Sequence, residues 1–107
     1  MPWLHYISWF AGGLFAANAV PHFVNGISGR PFQSPFAHPP GKGLSSSTVN
    51  VLWGAFNAFA AYCLTLRVGG FSLRSTPDII AAGAGALIMS VMMARVFGRF
   101  HGGNLNP

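Results

Sequence analysis

Few side chains in this sequence can do chemistry, and most of those sit in apolar surroundings. Asn18, His22 and Asn25 recur at i, i+4 and i+7, which puts them on one face of a helix. Asn50 and Asn57 stand at i and i+7, with Gly54 on the same face between them. Amides and an imidazole on apolar helices can bond across a helix pair, or line a path for a proton or a polar solute. If the two segments run antiparallel, one register suits both sets. Pairing residues whose numbers sum to 75 sets Asn18 beside Asn57, Asn25 beside Asn50, and His22 near Trp53 and Gly54. Pro21 lies inside the first stripe. It removes the amide that would bond to the Ala17 carbonyl, so a kink is expected there. Asn18 or a side chain of the second segment could serve that carbonyl.

Catalytic groupings are missing from the pattern. Asp78 is the only acid, so no carboxylate pair exists for general acid and base work. No Ser-His-Asp or Cys-His arrangement stands out, and no enzymatic activity is expected. Cys63 is the only cysteine, with no CxxC partner. His22, His38 and His101 would fall at the same end of the bundle. A three-histidine metal or redox site is therefore a distant third possibility, unsupported by any close-spaced ligand pattern. Met89, Met92 and Met93 are soft donors on an apolar span, where packing is the simpler role. No metal and no cofactor is expected.

The elements that must carry these residues follow from composition. The chain has 107 residues, of which 51% are hydrophobic and only 7% charged. Its mean hydropathy is +0.46. Soluble domains carry about 25% charged residues, so the expected solvent is lipid. Three segments, about 3–24, 48–66 and 77–97, approach the ~20 residues that cross a bilayer as a helix. None alternates with period two, which argues against a barrel. The expected fold is a single all-α integral membrane domain over 1–107. It has three transmembrane helices, a structured Pro/Phe-rich loop at 28–47 and a polar, fraying tail at 98–107.

Local signals mark the ends. The "SSST" run offers N-caps for the second segment, and Thr76-Pro77-Asp78 caps and starts the third. "RVGG" can stop the second segment with a left-handed glycine. Trp3, Tyr6, Trp9 and Trp53 suit interfacial depths. Ala17-Asn18-Ala19 resembles a signal-peptidase site, but no Lys or Arg precedes the apolar stretch, so a mature span is expected. Gly12 with Ala16, Gly13 with Ala17, Ala81 with Gly85 and Ala82 with Ala86 are small residues at four-residue spacing. Such pairs let helix backbones approach closely.

The formal net charge is +5. The cations fall in loops and at helix ends, so lipid head groups are the expected partner and nucleic acid is not. Arg67 and Arg74 share one side with the N-terminus. Arg30, Lys42, Arg95 and Arg99 take the other, which leans towards a cytoplasmic first loop and C-terminus.

The loop "RPFQSPFAHPPGKGLSSS" is not a phosphate loop. Phe36 stands where the first glycine belongs, and Gly43 follows Lys42 where Ser or Thr is required. Its prolines restrict the backbone, and Phe32 and Phe36 are costly to leave in water. The loop is expected to fold back on the bundle or the membrane interface with both rings as anchors. Arg30, Phe32, Phe36 and Lys42 are candidate docking residues. The function expected is a small non-catalytic integral membrane subunit, packing against other membrane chains as a homo-oligomer or within a larger complex. The alternative is a homo-oligomeric channel or carrier with an Asn/His-lined path. The location expected is a membrane, specifically the bacterial inner membrane.

Overall fold

The computed structural model describes residues 2–105. Three helices dominate: α1 (Pro2–Ile27), α2 (Ser47–Leu66) and α3 (Thr76–His101). Between α1 and α2 the chain makes a two-residue antiparallel ladder of β1 (Phe32–Gln33) and β2 (Leu44–Ser45), pairing Phe32 with Ser45 and Gln33 with Leu44. Residues 28–46 thus form the connection that carries this ladder.

Helix ends follow from local chemistry. Ser46 caps α2, its hydroxyl accepting from the Val49 N–H at 3.2 Å. Gly29 takes a φ of 75°, and the Arg30 and Gly29 amides close back on the Asn25 and Gly26 carbonyls. That is a Schellman end, which requires a left-handed residue. The cap of α3 is Ser75 rather than Thr76, and it makes no side-chain bond. Asp78 instead accepts from the Ser72 N–H at 3.0 Å, fixing the preceding turn. At the "RVGG" stop, Arg67 is the cap residue of α2, and the left-handed glycine is Gly69, two residues beyond it.

Helix α1 is central. Helices α2 and α3 each pack on it and hardly on each other. The small residues explain the closeness. A Cβ at Gly13 would run into the Ala82 carbonyl of α3, and one at Gly85 into the Phe10 carbonyl of α1. On the other side, a Cβ at Gly54 would stand 2.7 Å from the Phe23 amide nitrogen. α1 runs unbroken through Pro21.

Burial is inverted relative to a water-soluble fold. The most deeply buried side chains are Asn50, Asn57 and Ser34, at 0–1% exposure. Large apolar side chains such as Leu52, Phe59, Ile80 and Leu87 are more than 60% exposed. Helices α2 and α3 are long and apolar enough to cross a membrane. Helix α1, the third expected span, is not among the helices of that composition; Asn18, His22 and Asn25 lower its hydropathy.

Trp9 is 5% exposed, and its Nε1 donates to the Val68 carbonyl at 2.9 Å, just beyond the end of α2. One expectation at the ends requires correction. The segment after Phe97 does not begin a fraying tail. Helix α3 continues to His101 and ends on left-handed Gly102, and Asn104 then donates to the Arg95 carbonyl at 2.9 Å.

Candidate functional site

The polar residues of α1 and α2 meet at their shared interface. Asn18 Nδ2 donates to Asn57 Oδ1 at 2.9 Å, as the register of 75 requires. Asn57 Nδ2 in turn donates to the Trp53 carbonyl at 2.7 Å. The second expected pair does not form. Asn50 lies 2.8 Å from His22 Nδ1, not against Asn25. Asn25 is spent within its own helix end. Its Nδ2 donates to the Pro21 carbonyl at 2.7 Å, and its Oδ1 accepts from Arg30 Nε at 3.0 Å. The proline therefore lies within a polar knot, but Asn18 is directed to Asn57 and the bond within the helix is Asn25 to Pro21.

Asn50 is the hub. Its Nδ2 faces three carbonyls, those of Phe32, Ser45 and Ser46, at 3.1–3.2 Å. A nitrogen with two hydrogens among three acceptors must be the amide NH₂, so Oδ1 is the acceptor for His22. His22 Nδ1 consequently carries a hydrogen. One side chain thus ties α1, α2 and both strands of the loop together.

Rings close over this hub. The Phe32 ring stacks on His101 at 5.2 Å and 8°, and meets Phe97 at 4.7 Å and His22 at 5.5 Å. His101 Nε2 lies 2.8 Å from Gln33 Oε1, joining α3 to β1. Ser34 and Ser45 share a buried hydroxyl contact across the ladder. Sequence reasoning missed Gln33, Ser34 and His101 as fastening residues. The ladder that brings them together depends on long-range closure, which leaves no periodic signal.

The candidate docking residues separate. Phe32 is 7% exposed and belongs to the interior. Phe36 is 61% exposed, with its ring edge-on to Trp53 at 5.1 Å. Arg30 is exposed and Lys42 is exposed, both at the loop surface. The three histidines do not gather. The Phe32 ring contacts both His22 and His101, and among the described residues no three His, Cys, Asp or Glu side chains form a group.

A cavity of about 190 Å³ borders the hub, lined by Asn18, His22, Gln33, Ser34, Trp53 and Phe97 among others. A shallow apolar groove of about 470 Å³ runs between α2 and α3, floored by Gly12, Gly13 and Ala16 of α1 and flanked by Ala58 and Gly83. No family model, no curated protein and no solved structure matches this chain.

Proposed function

We propose that the chain is a small, non-catalytic integral membrane subunit that packs against other membrane chains, in a bilayer such as the bacterial inner membrane. The observation that carries this reading is the inverted burial: amides inside, large aliphatic and aromatic side chains outside. Water would penalise such a surface, whereas hydrocarbon accepts it and penalises unpaired polar groups. On this reading α1 is a third span, tolerated because Asn18, His22 and Asn25 are bonded on its inner side.

The subunit role is supported by the way the helices are arranged. With α2 and α3 both leaning on α1, the groove between them keeps small residues at its surface. Gly83 has open space where a Cβ would stand. Small residues on a helix surface let another helix come close, and lipid-exposed packing of this kind joins membrane chains. The polar stripe is spent on internal bonds, which supports a structural role for it over a transport path.

The test is a photo-crosslinking residue at Gly83 or Leu87, activated in the native membrane. The proposal predicts a crosslinked band heavier than the 11.3 kDa chain and of defined mass. Crosslinks to lipid alone at both positions would contradict it.

A further inference from the structure

Arg30 is an exposed cation held in one place. Its Nε donates to Asn25 Oδ1 at 3.0 Å, and its amide closes on the Asn25 carbonyl at 2.9 Å. Asn25 is itself anchored, because its Nδ2 donates to the Pro21 carbonyl at 2.7 Å. A guanidinium has five N–H donors in a planar fork. Among the described residues no acceptor takes those beyond Nε.

Asn25 also lines an open groove of about 540 Å³ between α1 and α3. Ala17 and Val20 form its α1 wall, and Met93, Ala94 and Phe97 its α3 wall. From Ala17 to Asn25 the groove follows α1 for about 12 Å, at 1.5 Å of rise per residue. Ser90 is the polar side chain deeper in the wall, and its hydroxyl is spent on the Ala86 carbonyl. The groove is thus apolar along its length and polar at its loop end, where His101 stands with Asn25. Charge at that end has one sign. Arg30, Lys42, Arg95 and Arg99 all belong to it. The only acid, Asp78, lies in the first turn of α3, at the opposite end, and is buried.

We infer that this groove is a binding site for one anionic phospholipid, with its phosphate on Arg30 and an acyl chain along the α1–α3 wall. A phosphate offers the pair of oxygens that the guanidinium fork matches. Basic sites between membrane helices hold anionic head groups in the same way. A free phosphate would meet Arg30 but leave the apolar wall uncovered. A zwitterionic lipid would bring an ammonium group to a mouth that has cations and no carboxylate. The site therefore selects for a negative head group on an apolar chain. The inference rests on the proposal that the chain lies in a bilayer, and not on which chains it packs against.

The experiment uses the full chain in its assembly, extracted from the membrane in mild detergent. Phosphatidylglycerol is the probe, and phosphatidylcholine with the same acyl chains is the control. Native mass spectrometry reads the lipid bound per copy of the chain. The expected result is saturable binding of one phosphatidylglycerol per copy, about tenfold tighter than phosphatidylcholine. Arg30→Gln should lower that affinity about tenfold, the scale of a lost hydrogen bond to a charged group. Arg67→Gln, at the opposite end, should leave it unchanged. Ala94→Trp fills the groove without touching a charge, and should also lower the affinity about tenfold. Arg30 and Ala94 are both exposed, so neither variant disturbs internal packing. Equal affinity for the two lipids, or an equal loss in Arg30→Gln and Arg67→Gln, would mean that lipid coats the chain generally and would overturn the inference. So would unchanged affinity in Ala94→Trp, which would reduce Arg30 to a bare phosphate contact and leave the groove to another occupant, such as a helix of a second copy. A chain absent from the membrane fraction would overturn the membrane proposal together with this inference. A membrane-resident chain without the lipid preference would overturn this inference alone.

Discussion

His22 Nδ1 donates to Asn50 Oδ1 across the α1–α2 interface at 2.8 Å, and both side chains are at most 2% exposed. This bond orients the Asn50 amide so that its NH₂ faces the loop carbonyls. The helix pair and the loop are therefore one structural unit rather than two.

Replacing Asn50 tests that unit. Asn50→Leu leaves three loop carbonyls and one imidazole N–H without their partner. The expected cost is about 1–3 kcal/mol. Asn50→Asp should behave similarly, because an ionised carboxylate has no hydrogen to offer the carbonyls. Hydrogen exchange of the 32–45 amides reads the effect directly, with protection falling in both variants. Protection at the wild-type level would sink the hub role.

The Asn18–Asn57 pair is a cleaner case of two side chains bridging helices. Asn18→Leu, Asn57→Leu and the double variant form a cycle. Bonds of this kind in membrane proteins couple by about 0.6 kcal/mol on average. We expect a positive coupling of that size from denaturation in mixed micelles. Additive losses would show that the 2.9 Å contact contributes nothing as a pair.

Glycines on α3 should divide sharply. Gly85→Ala drives a methyl into the Phe10 carbonyl, which is backbone and cannot rotate away. The α1–α3 contact must open, and a loss of about 1–3 kcal/mol is expected. Gly83 has free space at the same position. Gly83→Ala should be neutral or gain up to about 1 kcal/mol from helix propensity. Thermal unfolding of both variants compares them, and an equal loss in the two would be evidence against the packing.

The two loop phenylalanines give a second contrast. Phe32→Ala empties the space against Phe97 and His101 and should cost about 3–5 kcal/mol. Phe36→Ala removes an exposed ring and should cost less than about 1 kcal/mol. Similar losses would mean that Phe36 is an anchor after all.

Much of this was legible in the sequence where local rules apply. Apolar length located three helices, and the serine run offered several caps for α2, of which Ser46 is the one used. The Asn18–Asn57 pair followed from spacing and antiparallel geometry alone. Asn25 was misassigned because a rigid register ignores what the loop brings in. Arg30 and the Pro21 carbonyl compete for Asn25, and the returning strands draw Asn50 towards His22. The stretch from Gly98 reads as a tail because its composition is polar and glycine-rich. In the fold Gly98 stays helical, and a Cβ there would run into the Asn104 side chain. The cavity beside Trp53 was not legible at all, because it forms only when α1, α2, α3 and the loop are assembled.

The subunit proposal is tested most directly by extraction from the native membrane in mild detergent, followed by native mass measurement. It predicts that the chain emerges in a species of fixed stoichiometry containing further membrane chains, its own copies or others. A homogeneous single copy, with no co-purifying chain across mild detergents, would contradict it.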